Sequence, residues 1–333
     1  MKLPAVLRII LWPFSVVYGA AARLRACAYA KGWIEQKRLN VPVISVGNLT
    51  TGGTGKTPMV IWLAEKLLAD GKKVGILTRG YHGEGESSDE VELMKVRLQG
   101  RVRFGVGKDR YEQGRRLEQE VIDVFLMDDG FQHLQLARDC DIVLIDATRP
   151  LREERLIPAG ALREPRSAVN RTNLVLFTRA NHAPGAAAAM LHLPQLPIFP
   201  AKIKLVGFRR LGTGGNECLT VDQAAGPFFA FCGIGNPEAF LRDLKEWQIP
   251  LAGRATFRDH RKYTASDVAG LEKSADAAGA KAFVTTEKDE QNLRGTKFSR
   301  PVYVAVVSMD IADEDEVLRI VKRKIWPKQE VAA

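Results

Sequence analysis

The chain has 333 residues, long enough for two domains that each bury a core, and its shares of hydrophobic residues (46%) and charged residues (26%) are those of an ordinary globular protein rather than a disordered or fibrous one. Lysine and arginine exceed aspartate and glutamate by 49 − 39 = 10, a basic balance that suits an anionic partner without choosing among phosphorylated substrate, acidic lipid and nucleic acid. Cys27, Cys140, Cys218 and Cys232 lie far apart with no C-x-x-C pair, which points to reduced thiols rather than a disulfide framework or a zinc site.

The first predicted element is a helix over an uncharged run, IILWPFSVVYGAAA, between Arg8 and Arg23. Fourteen residues are too few for a hydrocarbon core of about 30 Å, which needs roughly 20 helical residues. A signal peptide, a core helix and a helix lying in a membrane interface all fit the run. Trp12, Phe14 and Tyr18, with Lys2, Arg8, Arg23, Arg25, Lys31, Lys37 and Arg38 around them, favour the interfacial helix. Export would place the nucleotide-binding loop described next in a compartment without ATP.

From residue 41 the pattern alternates strands and helices. Val43–Val46 reads as a buried strand, and Met59–Leu68 as the helix that follows. Between them runs Thr50-Thr51-Gly52-Gly53-Thr54-Gly55-Lys56-Thr57. Strand, glycine loop, Gly-Lys-Thr and helix make the context of a P-loop, with Thr50 standing where the strict motif has glycine. The glycines let backbone N–H groups turn toward phosphate, the helix N-terminus adds partial positive charge, Lys56 can reach the β- and γ-phosphates, and Thr57 offers a hydroxyl to Mg²⁺. The cofactor expectation is therefore ATP with Mg²⁺.

Lys73–Leu77, Val102–Val106, Val124–Met127, Ile142–Ile145 and Leu174–Phe177 are apolar runs of strand length, with a helix expected from Asp109 to Glu120. Continuous apolar strands separated by helices predict a parallel sheet covered on both faces, with ligands at its C-terminal edge. Asp128-Asp129 falls at the tip of one such run, in the Walker B arrangement that holds Mg²⁺ directly or through water. Gln132 and His133 follow closely; His133 by spacing is as readily structural as it is a contact for the γ-phosphate or the acceptor. Asp89-Glu90 reads as a solvated acidic loop, Arg163 as one cation among many, and His260 as a surface histidine.

After Thr178 an Ala- and Pro-rich stretch leads into AKIKLVGFRRLGTGG (201–215), an alternating, basic pair of runs expected to form a β-hairpin connector. A second α/β series follows: strands at Phe228–Phe231, Ala282–Thr285 and Val302–Val307, and helices at Pro237–Trp247, Ala265–Ala278 and Glu314–Lys324. The expected organisation is an interfacial helix at 1–35, a P-loop domain at 36–200, a two-stranded linker at 201–222 and a second, smaller α/β domain at 223–333.

VPVISVGNLTTGGTGKTP, ILTRGY, MDDGFQH, LIPAGALREP, FFAFCGIGNP, FRDH and VTTEKD together resemble the tetraacyldisaccharide 4'-kinase family, from the N-terminal helix to about residue 290. Where that family commonly has Gly-Asp-Glu-Pro, this chain has Ser88-Asp89-Glu90-Val91. The resemblance implies transfer of the γ-phosphoryl group of ATP to the 4'-hydroxyl of an acylated glucosamine disaccharide 1-phosphate. It also implies an enzyme on the cytoplasmic face of the bacterial inner membrane, peripheral or monotopic, with two α/β domains and a cleft between them. By the same resemblance Asp89 pairs with His260 to act on the acceptor hydroxyl, Arg163 assists catalysis with Lys56, and Glu90, Asp128, Asp129, Gln132 and His133 gather around Mg²⁺ and phosphate. A membrane-bound switch ATPase is a weaker alternative, because its deviant P-loop requires lysine at position 51 and this chain has Thr51. A nucleic-acid-binding ATPase is weaker still: no base-stacking aromatic cluster is present and the cations are scattered.

Overall fold

The computed structural model describes residues 4–80, 88–149, 151, 154–183, 196–212, 218–224 and 226–327. The chain forms two compact units, each discontinuous in sequence. The first comprises residues 1–80, 98–202 and 309–333, the second residues 81–97 and 203–308.

In the first unit, β1 (Val43–Asn48), β2 (Val74–Thr78), β4 (Val124–Asp128), β5 (Cys140–Asp146) and β6 (Leu174–Thr178) are buried along their whole length. Strands covered on both faces carry no alternation, which is why they read as unbroken apolar runs. With β3 (Arg103–Val106) and the first residues of β7 (Ile198–Arg210, which from residue 203 on belongs to the second unit) they form the order β3-β2-β4-β1-β5-β6-β7, parallel throughout. Register places Val46 beside Asp128 and Asp146 beside Thr178, with Asn48 opposite Leu144, so the C-terminal tips of β1, β4, β5 and β6 line one edge. Helix α2 (Lys56–Ala69) springs from β1 through the glycine loop, and α4 (Arg110–Leu117) is capped by Asp109, which accepts from Glu112 N–H at 3.1 Å.

Helix α1 (Ala5–Ala30) has 26 residues and continues through Arg23 and Arg25, well beyond the uncharged run. At about 39 Å it is long and apolar enough to cross a bilayer, so length does not exclude crossing as the sequence suggested. Its packing is inverted relative to a core helix. The face against the unit presents small or polar residues: Ser15 is buried and bonded to Leu156 O at 2.9 Å, and a Cβ at Gly19 would stand 2.5 Å from Leu156 Cδ1. The large apolar side chains turn outward, with Ile9 72%, Trp12 57%, Phe14 64% and Val17 70% exposed.

The second unit contains β8 (Phe228–Cys232), β9 (Leu251–Thr256), β10 (Ala282–Thr286) and β11 (Val302–Ile311) in the parallel order β11-β10-β8-β9. Its core is aromatic: Phe231 packs edge-on to Tyr263 and Phe283, and Phe208 against Phe228 and Tyr303. Helix α3 (Asp89–Leu98) belongs to this unit although its chain neighbours β2 and β3 belong to the first. Helices α5 (Pro237–Glu246), α6 (Ala265–Ala277) and α7 (Glu287–Asn292) complete it, and α8 (Glu314–Ile325) returns to the first unit.

Three readings are corrected. Asp89-Glu90 opens a helix rather than lying in a loop. Ser88 Oγ accepts a hydrogen bond from Val91 N–H at 3.4 Å, and Asp89, Glu90 and Glu92 in the first turn complement the helix dipole. The basic run after residue 198 is one 13-residue strand, β7, whose neighbours are β6 and β11. Among the described residues only Phe208 and Leu219 pair as hairpin arms, through backbone bonds of 2.8 and 2.7 Å; 213–217 lie outside the described residues, as does Lys2. The final helix, α8, joins the first unit rather than the second, since Lys322 and Glu314 pair with Asp70 and Lys66 of α2 and its C-cap.

Candidate active site

The glycine loop is built from its ends. Thr50 is paired with Leu162: Thr51 N–H donates to Ala161 O and Arg163 N–H to Leu49 O, both at 2.8 Å. Position 50 is therefore extended backbone, which a threonine adopts as readily as glycine. The Thr51 amide is engaged in the same pairing. Gly52 (φ +110) and Gly55 (φ +89) take left-handed conformations that favour glycine, and Gly55 is the N-cap of α2. The loop's carbonyls are gripped by the end of β6. Arg179 Nη1 donates to Gly53 O at 3.1 Å and Thr178 Oγ1 to Thr54 O at 3.0 Å. Each trans peptide then points its N–H, those of Thr54 and Gly55, the opposite way. Arg179 is itself held by a buried ion pair to Asp146 at 2.7 Å.

On the other side of β1 stands the acidic tip of β4. Asp128 is buried, and its carbonyl accepts from Arg110 Nη2 at 3.1 Å. Asp129 sits at φ +47, with both carboxylate oxygens 2.8 Å from Arg163 Nη1 and Oδ1 3.5 Å from Lys56 Nζ. Burial works to raise its pKa, but Lys56, Arg163 and Arg110 outweigh it and hold the carboxyl below the usual range. Lys56 also lies 3.4 Å from Asn48 Oδ1, and Asn48 Nδ2 donates to Thr54 Oγ1. Gln132 Nε2 donates to Asn48 O at 2.9 Å, which leaves its Oε1 3.5 Å from Arg163. His133 is pushed down to about 4 by burial, then by Arg110 and Arg138, so its imidazole is neutral at physiological pH. Thr57 stands in the first turn of α2. Helix α1 reaches this cluster too: Tyr18 Oη donates to Arg163 O at 2.7 Å and Arg25 to Gln132 O at 3.1 Å.

The second unit holds the other expected residues. His260 Nδ1 is 3.0 Å from Asp89 Oδ2, and Asn292 Nδ2 donates to the same oxygen at 2.9 Å. Among the described residues, Asp89 Oδ1 receives no hydrogen bond. His260 adopts φ +58, with its N–H 3.2 Å from Gly233 O. Glu90, the other acidic residue of this turn, forms an ion pair with Lys288 at 3.1 Å.

The residues from Thr286 to Asp289, at the start of α7, organise this cluster, and their spacing carried no periodic signal to reveal it. Thr286 caps the helix through Asp289 N–H at 3.1 Å. Glu287, buried, pairs with Arg97 of α3 at 3.0 Å. Lys288 meets Glu90, Asp259 and His260. Asp289, fully buried, accepts from Gly233 N–H, Tyr263 Oη and Thr286 Oγ1 at 2.7, 2.7 and 2.6 Å, a fully satisfied carboxylate that fixes the segment on which His260 sits. Helix α3 was within reach of the sequence, since Val91, Met94 and Leu98, buried along with Leu93, stand at helical spacing behind a Ser88 cap. Lys288, Arg179 and Asp146 had no such signal.

The model of the family Tetraacyldisaccharide-1-P 4'-kinase matches residues 7–325. The Tetraacyldisaccharide 4'-kinase of Geobacter metallireducens is 41% identical over 321 residues, covering 90% of this chain and 93% of the relative. Its counterpart in Geobacter sulfurreducens is 39% identical over 320 residues, covering 89% and 87%. The crystal structure of LpxK from Aquifex aeolicus in complex with ATP aligns with a TM-score of 0.76 at 30% identity, over 96% of this chain and 100% of that one. With its P-loop, its acidic tip on β4 and these matches along its length, the chain belongs to the tetraacyldisaccharide-1-P 4'-kinase family.

Proposed function

We propose that this kinase transfers the γ-phosphoryl group of ATP to the 4'-hydroxyl of an acylated glucosamine disaccharide 1-phosphate, giving the bisphosphorylated lipid A precursor. The observation that carries the reading is the cluster of Lys56, Asp129 and Arg163 beside a loop whose Thr54 and Gly55 amides face away from Arg179 and Thr178. It is a site for a polyphosphate with charge developing at its end.

In this reading Gly52, Gly53, Thr54 and Gly55 cradle the phosphates through backbone N–H groups, and Lys56 and Arg163 attract the γ-phosphate oxygens. Both cations rest on Asp129 before the nucleotide arrives, so phosphate exchanges one anionic partner for another instead of desolvating a bare charge. Mg²⁺ suits the donors present: it binds through one or two carboxylates, substrate phosphates and water, which Asp128 and Asp129 would provide with Thr57 and Gln132. When bound it neutralises charge on the phosphates. Among the described residues no group of three or more His, Cys, Asp and Glu side chains forms a metal site by itself, so the nucleotide would complete the coordination. Neutral His133 would hydrogen-bond rather than pair ionically.

Asp89 accepts the hydroxyl proton as the 4'-oxygen bonds to the γ-phosphorus and the bond to the β–γ bridging oxygen breaks, releasing ADP. A carboxylate is a weak base for a sugar hydroxyl, but a loose transition state needs its help only late. His260 and Asn292 both bond Oδ2, which orients the carboxylate and leaves Oδ1 for the hydroxyl.

The acylated acceptor stays in a bilayer, and the outward apolar face of α1 supports attachment of the enzyme to the cytoplasmic face of the bacterial inner membrane, peripherally or monotopically. Cations around the helix would add on the order of 1 kcal/mol each at an anionic leaflet.

The test is transfer of label from γ-labelled ATP to a tetraacylated disaccharide 1-phosphate in detergent micelles with Mg²⁺. A labelled, more anionic lipid that is lost in Lys56→Ala and in Asp89→Ala is the expected result. Absence of labelled lipid, with ATP hydrolysis stimulated by membranes alone, would overturn the reading in favour of a switch ATPase.

A further inference from the structure

Lys288 meets three groups with three protons. Its Nζ lies 3.1 Å from Glu90 Oε1, 3.1 Å from Asp259 Oδ1 and 3.3 Å from His260 Nε2. An ammonium donates and never accepts, so Nε2 must offer its lone pair. The ring proton then resides on Nδ1 and is donated to Asp89 Oδ2 at 3.0 Å. The opposite tautomer has nothing to recommend it here. The nearest carboxylate oxygen to Nε2, Asp259 Oδ1, is 3.9 Å away, beyond hydrogen-bond reach, and Nδ1 would turn a lone pair on the Asp89 carboxylate. An imidazolium would set a second positive N–H against the ammonium. The backbone allows little escape, because the His260 N–H is tied to Gly233 O and Asp259 Oδ1 accepts from it as well. Burial works against the charge on Lys288, but Glu90 and Asp259 outweigh it and raise its pKa, so the donor stays protonated.

We propose that Lys288 is a positioning residue for phosphoryl transfer: by donating to His260 Nε2 it holds the imidazole in its neutral Nδ1–H form, and that form aims Asp89 at the acceptor hydroxyl. The inference rests on the reading that Asp89 takes the hydroxyl proton. It makes the three ion-pair and hydrogen-bond contacts of Lys288 one device, in which Glu90 and Asp259 hold the ammonium against the ring. Glu90 thereby acts through Lys288.

The experiment reads tautomer and turnover separately. Long-range ¹H–¹⁵N correlation spectra at pH 8 report which nitrogen of each neutral histidine carries hydrogen. The chain has five histidines, so the His260→Gln spectrum assigns the ring. The wild type is expected in the Nδ1–H form. Lys288→Met should move His260 toward the Nε2–H form that free histidine prefers, and lower kcat by about tenfold to a hundredfold while KM for ATP stays within about twofold. Lys288→Arg should restore the Nδ1–H form and most of kcat, since a guanidinium also only donates. An Nε2–H ring in the wild type would overturn the proposal outright. So would an unchanged tautomer in Lys288→Met, a changed tautomer with full kcat, or equal loss of kcat in the Met and Arg variants. If Lys288→Met fails to fold, the wild-type tautomer and the Arg variant decide. Failure of the wild type to label the lipid would remove the kinase reading instead, and the tautomer result would stand by itself.

Discussion

Asp129 is a non-glycine residue at φ +47, a conformation that aspartate tolerates better than most and that puts its carboxylate between Arg163 and Lys56. Asparagine tolerates the same backbone, so Asp129→Asn separates charge from fold: transfer should drop by at least about a hundredfold while the thermal midpoint stays near wild type, as paired activity and melting measurements would read. Retained activity would remove Asp129 from the phosphate site. The cysteines give a cleaner pH argument. Burial pushes the Cys140 and Cys232 thiols up to about 12, whereas an unfolded thiol titrates near 9. The folded state therefore holds protons that the unfolded state releases between those values, and stability should fall as pH rises above about 9. At pH 8, a maleimide should label exposed Cys218 first and reach Cys140 and Cys232 only on unfolding, with peptide mass mapping as the readout. At this scale the sequence spoke where chemistry sits in a run, as in Lys56 and Asp128-Asp129. It was silent on the role of Lys288, whose meaning comes from Glu90, Asp259 and His260, none of them near it in the chain.

Elements tell a similar story. Gly55 caps α2 at φ +89, so Gly55→Ala should cost about 1–2 kcal/mol and lower the thermal midpoint even without nucleotide. Helix α1 offers the opposite case. Trp12 and Phe14 face outward, so Trp12→Asp with Phe14→Asp should leave the melting temperature within about a degree or two but abolish partition onto phospholipid vesicles in a flotation assay. Unchanged flotation would mean that the outward face of α1 does not bind lipid. The apolar content of α1 was plain in the sequence; which face turns outward was not. Composition cannot distinguish a helix that buries its leucines from one that packs on Ser15 and Gly19. Helix α7 was missed because a six-residue helix with hardly an apolar residue has no period to read.

For the whole molecule, a net charge of +10 predicts stronger flotation with vesicles containing anionic lipid than with zwitterionic ones, and a loss of that difference as salt shortens the screening length from about 10 Å at 0.1 M toward 3 Å at 1 M. A binding isotherm at two salt concentrations checks it. Local pattern determined most strands and helices, the P-loop and the acidic tip of β4, because hydrophobic period, glycine placement and strand-end chemistry are written within a dozen residues; the half-exposed β9 and the single long β7 were not among them. Tertiary structure decided the rest. Position 50 could be threonine because it pairs with Leu162, and Arg179 became a brace for the loop because β6 ends beside β1's extension. Asp89 met His260 across 171 positions because α3 leaves the strands on either side of it and joins the second unit. A chain records which residues want burial or charge, but two distant residues become one site only when packing brings them to hydrogen-bond distance.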